Sequence, residues 1–120
     1  MKILIADDSR VMRQIIVRTL RQAGFDGHHV VEAVDGADAL AKVATEAPDV
    51  VLSDWNMPNM TGIDFLRALR ATGSQVPFGF VTSEGSVDMR HIAETAGAAF
   101  LIAKPFTAEA FEDALSPVLG

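Results

Sequence analysis

Short apolar runs alternate along the chain with longer segments in which apolar residues recur every three or four positions. The apolar runs, typical of strands buried in a parallel sheet, lie at residues 3–6, 50–53, 78–81 and 100–103, and residues 29–33 predict a weaker strand. Each is followed by a segment with helical spacing: from Ser9 to Gly24, from 37 to 46, from Thr61 to Gly73, from Ser86 to Gly97 and from Thr107 to Val118. Strict alternation predicts parallel strands, right-handed crossovers and helices on both faces of the sheet. The sequence therefore predicts a doubly wound α/β fold of five strand–helix units.

Residues at the ends of the periodic segments support these boundaries. Thr61 with Asp64 three residues later resembles a capping box at a helix start. Asp35-Gly36, between the second strand and the second helix, is typical of a turn. Three further helices are predicted to begin after a capping hydroxyl residue: Ser9, Ser86 and Thr107.

Composition and charge narrow the class of protein. The 120 residues are 49% hydrophobic and 22% charged, so we predict one globular domain over residues 1–120. The absence of cysteine excludes disulfides, thiolate metal sites and cysteine nucleophiles. No apolar run approaches the ~20 residues that cross a membrane, and a net charge of −6 without a Lys/Arg run argues against direct nucleic-acid binding. We expect a cytoplasmic protein, a monomer or weak dimer, without membrane insertion.

Chemically active side chains directly follow four of the five predicted strands. They are Asp7 and Asp8 after the first strand, Asp54 after the third, Thr82 after the fourth and Lys104 after the fifth. Because the carboxyl ends of parallel strands share the edge where open α/β sheets bind ligands, these side chains are predicted to lie close together. Each alone has an ordinary role as a cap, turn residue or solvated charge, but four strand ends together predict a site.

The chemistry of this set is that of phosphoryl transfer. Clustered carboxylates repel one another unless a cation lies between them, and oxygen ligands with open positions suit Mg²⁺. A lysine and a hydroxyl group suit the oxygens of a phosphoryl group. Because phosphoryl transfer depends mainly on positioning and charge neutralisation, and carboxylates form covalent phosphoryl intermediates, Asp54 is a candidate nucleophile.

In their order and spacing, Asp7-Asp8, Asp54, Thr82 and Lys104-Pro105 resemble the receiver domain of two-component response regulators. The resemblance covers nearly the whole chain, and residues 54–60 and 104–108 are most similar to single-domain chemotaxis regulators. It implies the flavodoxin-like fold already known for that family, with a parallel sheet in the order 2-1-3-4-5. It also implies a signalling phosphoacceptor, which catalyses only its own phosphorylation and dephosphorylation, rather than a classical enzyme.

The resemblance implies roles for the acidic residues and the lysine. Asp54 would take a phosphoryl group from a phosphohistidine on a sensor histidine kinase or a phosphotransfer protein. Mg²⁺ would be bound directly by Asp8, Asp54 and the backbone carbonyl of Asn56, and through water by Asp7. Lys104 would pair with the phosphoryl oxygens.

Further roles follow from the same resemblance. Thr82 would turn to hydrogen-bond a phosphoryl oxygen, with Ser83 beside it in the switch. The peptide bond before Pro105 is expected to be cis. Asn56 and Glu84 occupy positions where the family tunes dephosphorylation, and a downstream protein would bind the face formed by the fourth helix, the fifth strand and the fifth helix.

One departure from the family pattern concerns the switch. The family usually has an aromatic residue three positions before the lysine, whereas this chain has Leu101 there and Phe100 one position earlier. Alternation along the strand places Phe100 and Leu101 on opposite faces of the sheet. We therefore predict that signalling runs through Thr82 and backbone shifts in residues 83–86.

A second departure lies in the last helix. It carries Glu109, Glu112 and Asp113 where chemotaxis regulators tend to present lysines, and we predict a solvated acidic face there. Elsewhere, Met12 or Ile15 could either contact a kinase or belong to the core, and Trp55 is expected to be partly exposed.

Other functions are compatible with parts of the pattern. The chain could be a receiver excised from a larger response regulator or hybrid kinase, or a scaffold, although the complete acidic set argues against a scaffold. A haloacid dehalogenase-like phosphatase usually has a second acid two residues after its nucleophile, whereas Asp8 is followed by Ser9 and Arg10. A flavin or nucleotide site lacks the glycine-rich phosphate loop.

Overall fold

Strands and helices alternate in the computed structural model, which describes residues 1–25 and 27–119. The strands are β1 (Lys2–Ala6), β2 (His29–Ala33), β3 (Val50–Ser53), β4 (Phe78–Thr82) and β5 (Phe100–Ala103). The helices are α1 (Arg10–Gln22), α2 (Gly36–Glu46), α3 (Gly62–Ala71), α4 (Val87–Ala96) and α5 (Ala108–Leu119). The predicted elements are all present, with ends that differ from the predicted ones by at most two residues. Within the described ranges, no helix has the length and apolar character needed to cross a membrane.

The strands form one parallel sheet in the order β2-β1-β3-β4-β5, which confirms the predicted fold class and strand order. The last residue of β1, Ala6, pairs with Ala33 at the end of β2 and with Ser53 at the end of β3. The strand order reverses between β1 and β3, so the chain leaves these strands toward opposite faces. This reversal opens a crevice at the carboxyl edge of the sheet, where folds of this kind bind ligands.

A hydrophobic layer lies on each face of the sheet because side chains alternate along each strand. The layer under α2, α3 and α4 includes the fully buried Leu4 and Phe80. The layer under α1 and α5 includes the fully buried Ile5 and Phe111. Burial on both faces explains why the strands read as nearly continuous apolar runs.

The predicted hydroxyl caps are observed at four helix starts. The side-chain oxygens of Ser9, Thr61, Ser86 and Thr107 accept hydrogen bonds from the backbone N–H groups of Met12, Asp64, Met89 and Ala110, respectively. Each bond satisfies an N–H group that has no partner within its helix.

The predicted turn at Asp35-Gly36 is wrong. Asp35 is the N-cap of α2, with Oδ1 accepting a hydrogen bond from the N–H of Asp38 at 2.7 Å, and Gly36 is the first helical residue. The side-chain amide of Asn59 donates to Oδ2 of Asp35 at 2.7 Å, and the N–H of Gly36 donates to the carbonyl of Met60. The hydrogen bonds that the Asp35 carboxylate accepts, chiefly that from Asp38 and then that from Asn59, lower the pKa of Asp35. The Asn59–Asp35 and Gly36–Met60 bonds attach the loop after β3 to the start of α2.

The start of α3 packs tightly against the residue that follows β3. The N–H of Gly62 donates to the carbonyl of Trp55 at 2.8 Å. A Cβ atom on Gly62 would overlap the carbonyl oxygen of Asp54 and touch the ring of Phe80. Glycine is required here for close backbone approach, and this contact fixes the position of Asp54.

We therefore expect Gly62→Ala to lower the free energy of unfolding by about 1–3 kcal/mol, the usual cost of overpacking. Urea denaturation followed by circular dichroism measures the change. Gly27→Ala is the matched control, since a Cβ at Gly27 meets nothing within 4 Å. Equal stability of the two variants would contradict the close-approach argument.

Candidate functional site

The three aspartates predicted for the site lie together at the carboxyl ends of β1 and β3. One carboxylate oxygen from each of Asp7, Asp8 and Asp54 lies within 4.8 Å of the others, and this is the one such cluster in the described part of the chain. Asp7 is 1% exposed, the side chain of Asp54 is 12% exposed, and Asp8 faces solvent. The cluster therefore combines two sheltered carboxylates with one that is open to water.

Asp7 is held by hydrogen bonds to all its polar atoms. Its N–H donates to the carbonyl of Ala33 at 3.1 Å, and its own carbonyl accepts from the guanidinium of Arg13 at 2.7 Å. Oδ1 accepts from the N–H of Ser9 at 2.9 Å, and Oδ2 accepts from Nζ of Lys104 at 3.2 Å. This set of partners offsets the cost of burying a carboxylate.

Asp54 is positioned by the strand beside it and by the residue after it. Its N–H donates to the carbonyl of Ala6 at 2.8 Å, so the end of β3 is attached to the end of β1. Its Oδ1 accepts from the N–H of Trp55 at 2.7 Å, and its Oδ2 lies 3.6 Å from Nζ of Lys104. These contacts keep the carboxylate from rotating, and it faces the crevice.

The environment of Asp54 makes its carboxyl group harder to ionise than that of a free aspartate. Burial, reinforced by the negative charge of Asp7, raises the pKa of Asp54, while the Lys104 ammonium pulls that pKa down. A divalent cation in the cluster would favour the ionised form, as Lys104 does.

Lys104 connects β5 to both sheltered carboxylates. Its backbone N–H donates to the carbonyl of Thr82 at 2.8 Å, and its side chain is 17% exposed. The Lys104–Pro105 peptide bond is cis. The ammonium lies within ion-pair distance of Asp7 and Asp54 at once, so one cation is shared between two carboxylates.

Three further predicted site residues end or follow β4, namely Thr82, Ser83 and Glu84, and a fourth, Asn56, follows β3. Thr82 is fully buried, and its hydroxyl oxygen accepts a hydrogen bond from the N–H of Glu84 at 3.2 Å. Ser83 and Glu84 are exposed. The side-chain amide of Asn56, also exposed, lies 3.5 Å from Oε1 of Glu84. Both side chains of this pair are open to solvent.

Leu101 and Phe100 lie on opposite faces of β5. Leu101 packs against the layer under α2, α3 and α4, whereas Phe100 packs against the layer under α1 and α5. Phe100 pairs with Gly79 on β4, where any Cβ would overlap the Phe100 ring. Nη1 of Arg90 donates to the carbonyl of Leu101 at 3.0 Å and joins α4 to the edge strand.

The expected partial exposure of Trp55 is wrong. The residue is 8% exposed, and its ring lies 4.7 Å from that of Phe80. The residues after Asp54 fold back over the sheet, because the N–H of Gly62 holds the Trp55 carbonyl, and this covers the indole.

Sequence reasoning missed Arg13, whose guanidinium donates a hydrogen bond to the backbone carbonyl of Asp7. Arg13 occurs in the apolar stripe of α1, three and seven positions before the buried Ile16 and Leu20. A cation at a core position of an amphipathic helix was the available signal, because a buried guanidinium requires partners.

The donor set fits a hard divalent cation. It consists of carboxylate oxygens alone, and the exposed Asp8 leaves room for water ligands. Mg²⁺ takes oxygen ligands and usually keeps several waters. The acidic cluster is thus compatible with a metal site.

A family model described as "Response regulator receiver domain" matches residues 3–116. The chain belongs to the response regulator receiver family. Receivers act in two-component signalling, and their general function is to be phosphorylated on an aspartate by a kinase.

Individual relatives of this receiver are chemotaxis proteins. The chain is 42% identical over 120 residues to chemotaxis protein CheY of Pseudomonas aeruginosa, covering 98% of this chain and 95% of the relative. It is 38% identical over 123 residues to CheY1 of Helicobacter pylori, covering 100% and 98%. Among solved structures, CheY4 of Vibrio cholerae matches with a TM-score of 0.85 and 37% identity, covering 98% of this receiver and 97% of that chain.

The raised pKa of Asp54 gives a pH-dependent prediction for the receiver. The folded state disfavours the ionised carboxyl, so a cost to stability is absent below the unfolded pKa of about 3.9 and grows as pH rises through the folded pKa. In metal-free buffer, Asp54→Asn should therefore stabilise the receiver near pH 7 and leave its stability nearly unchanged near pH 3.

Urea denaturation with a chelator at both pH values measures this difference. Asp113→Asn, at an exposed position on α5, is the control and should change stability by less than about 0.5 kcal/mol. A destabilised Asp54→Asn variant near neutral pH would refute the argument.

Proposed function

We propose that Asp54 is the phosphoacceptor of this receiver. The observation that carries the proposal is the convergence of Asp7, Asp8 and the Lys104 ammonium on the Asp54 carboxylate. A carboxylate oxygen of Asp54 attacks the phosphorus of a phosphohistidine, forming the O–P bond as the P–N bond breaks, and the imidazole nitrogen leaves with the electron pair. The hydrogen bond from the Trp55 N–H keeps the carboxylate from rotating during this approach.

Mg²⁺ is the proposed cofactor. Asp8, Asp54 and the backbone carbonyl of Asn56 would hold it directly, and Asp7 would act through water. When bound, the ion neutralises charge on the phosphoryl oxygens and on the carboxylates. Asp8 is accessible from solvent, which supports its assignment as a direct ligand.

Lys104 and Thr82 are proposed to bind the oxygens of the transferred phosphoryl group. Lys104 already lies beside Asp54, so its ammonium moves from a carboxylate pair to the phosphoryl oxygens. The Thr82 hydroxyl accepts from the N–H of Glu84 at rest. When that hydroxyl turns to donate to a phosphoryl oxygen, the Glu84 bond is lost and residues 83–86 are free to shift. Asn56 and Glu84, which are both exposed and lie within 3.5 Å of each other, would then govern the approach of the hydrolytic water.

The signal is proposed to reach the face formed by α4, β5 and α5. Residues 83–86 lead directly into α4, where Arg90 is bonded to the carbonyl of Leu101. Phe100 lies on the other face of β5, against the layer under α1 and α5. Switching through Thr82 and the backbone therefore requires no aromatic at Leu101.

The proposed partners are a histidine kinase or phosphotransfer protein on one side and a downstream protein on the other. On α1, Ile15 and Val11 are 36% and 66% exposed, which supports a kinase contact there, whereas Met12 packs against the core. A downstream protein would bind the α4–β5–α5 face.

We propose a chemotaxis-type role on the strength of the relatives' names. On α5, Glu109, Glu112 and Asp113 are all exposed, so an acidic surface would face the target.

We propose one receiver domain over residues 1–120 in the cytoplasm, as a monomer or weak dimer. A receiver belonging to a larger regulator is the second candidate, since other matching structures are receiver domains of response regulators.

Phosphorylation of Asp54 is tested by intact-protein mass spectrometry after incubation with Mg²⁺ and acetyl phosphate. The expected result is a mass increase of one phosphoryl group that is lost with chelator and in Asp54→Asn. Asp64→Asn, at an exposed position on α3, is the control and should retain the increase. An unmodified wild-type chain, or an Asp54→Asn variant modified like the wild type, would refute the assignment.

The switch role of Thr82 is tested with Thr82→Val, which keeps the side-chain shape and removes the hydroxyl. The variant should still be phosphorylated, but the phosphorylation-dependent NMR shifts of residues 83–86 and α4 should be largely lost. Thr45→Val, the same substitution at an exposed position of α2, is the control and should keep the wild-type shifts. Wild-type shifts in Thr82→Val would contradict the mechanism.

A further inference from the structure

Arg13 is a buried cation next to the acidic cluster, in contact with the backbone of Asp7. It is 8% exposed and lies on the core face of α1. Its guanidinium has two partners: Nη1 donates to the backbone carbonyl of Asp7 at 2.7 Å, and Nε donates to Oε1 of Glu32 at 2.8 Å. Burying a guanidinium is costly unless it is paired, and neither partner is one of the carboxylates of the cluster.

The carbonyl that Arg13 holds belongs to the peptide unit between Asp7 and Asp8. Because a peptide unit is planar, fixing the direction of this carbonyl also fixes the N–H of Asp8. Ser9, which follows, is already fixed as the N-cap of α1. The backbone of the solvent-exposed Asp8 is thus held on both sides, and Arg13 supplies the hold on the strand side.

Glu32 holds Arg13 from the neighbouring strand. It lies on β2 in register with Ile5 of β1, and its side chain is 47% exposed. Its carboxylate binds Nε of Arg13 and leaves Nη1 directed at the Asp7 carbonyl. Charge-assisted bonds of this length are directional, so the pair orients the guanidinium as well as neutralising it.

We propose that Arg13 is a positioning residue for the cation site formed by Asp7, Asp8 and Asp54, and that Glu32 holds Arg13 in its working orientation. The inference rests on the proposed function, because it concerns Mg²⁺ binding by these carboxylates. Arg13 acts through the backbone of Asp7 and does not contact the cation.

Positioning and charge predict opposite effects of removing Arg13. A positive group acting through charge alone repels Mg²⁺, so its removal would tighten binding. A residue that holds the backbone of Asp7 and Asp8 in place favours Mg²⁺ binding, so removing that residue would weaken Mg²⁺ binding. The sign of the change in Mg²⁺ affinity therefore separates the two roles.

The test measures the Kd for Mg²⁺ by isothermal titration calorimetry, with circular dichroism to verify folding. Arg13→Gln should raise the Kd roughly tenfold, the lower end of the range for outer partners of metal ligands. Arg18→Gln removes the same charge from an exposed position of α1 and should leave the Kd within about twofold of the wild type. At saturating Mg²⁺, the maximal rate of phosphorylation of Arg13→Gln by acetyl phosphate should return close to the wild-type rate.

Glu32→Gln keeps Arg13 and alters a half-exposed side chain, so this variant is the second test of the positioning role if Arg13→Gln does not fold. It should raise the Kd by a smaller factor than Arg13→Gln, and Arg13→Lys should restore part of the affinity by donating to Asp7 alone. An unchanged or lower Kd in Arg13→Gln, or in Glu32→Gln if the former is unfolded, overturns the positioning role. A wild-type chain that binds no Mg²⁺ refutes the proposed metal-dependent function instead.

Discussion

The shared ammonium of Lys104 is the interaction on which the carboxyl edge of the sheet depends. Asp7 and Asp54 are sheltered carboxylates that would repel each other, and Nζ of Lys104 lies 3.2 Å from one and 3.6 Å from the other. Burial still raises the pKa of Asp54. The fold therefore maintains an electrostatic cost at one carboxylate that a further cation in the cluster would relieve.

Ordinary features of a doubly wound sheet assemble this arrangement. The parallel register brings the ends of β1 and β3 side by side, and the Asp54 N–H joins them through the Ala6 carbonyl. Gly62 lets α3 begin against the Asp54 carbonyl, and the Asp35–Asn59 bond attaches the loop between them to α2. The candidate nucleophile is thus held by backbone contacts on several sides, so its carboxylate is oriented before any ligand arrives.

The alternation of apolar runs and amphipathic segments was sufficient to predict the class and order of elements, because burial on both faces produces that pattern. The clustering of the residues that follow the strands could be predicted as well, because the carboxyl ends of parallel strands lie at one edge of the sheet. What could not be predicted depended on tertiary partners. Asp35-Gly36 suits a turn and a helix cap equally until Asn59 selects the cap. Trp55 is covered by a loop whose return is set by Gly62, and Arg13 finds its partners on β1 and β2.

The placement of Phe100 has a consequence for how the output surface can vary. Its ring occupies space that only glycine at position 79 allows, on the face of β5 away from Leu101. Under the proposed mechanism, no side chain on the α4–β5–α5 face has to change rotamer for the signal to pass. The side chains of that face are then free to vary with the partner alone, and recognition and switching become separable properties of the same domain.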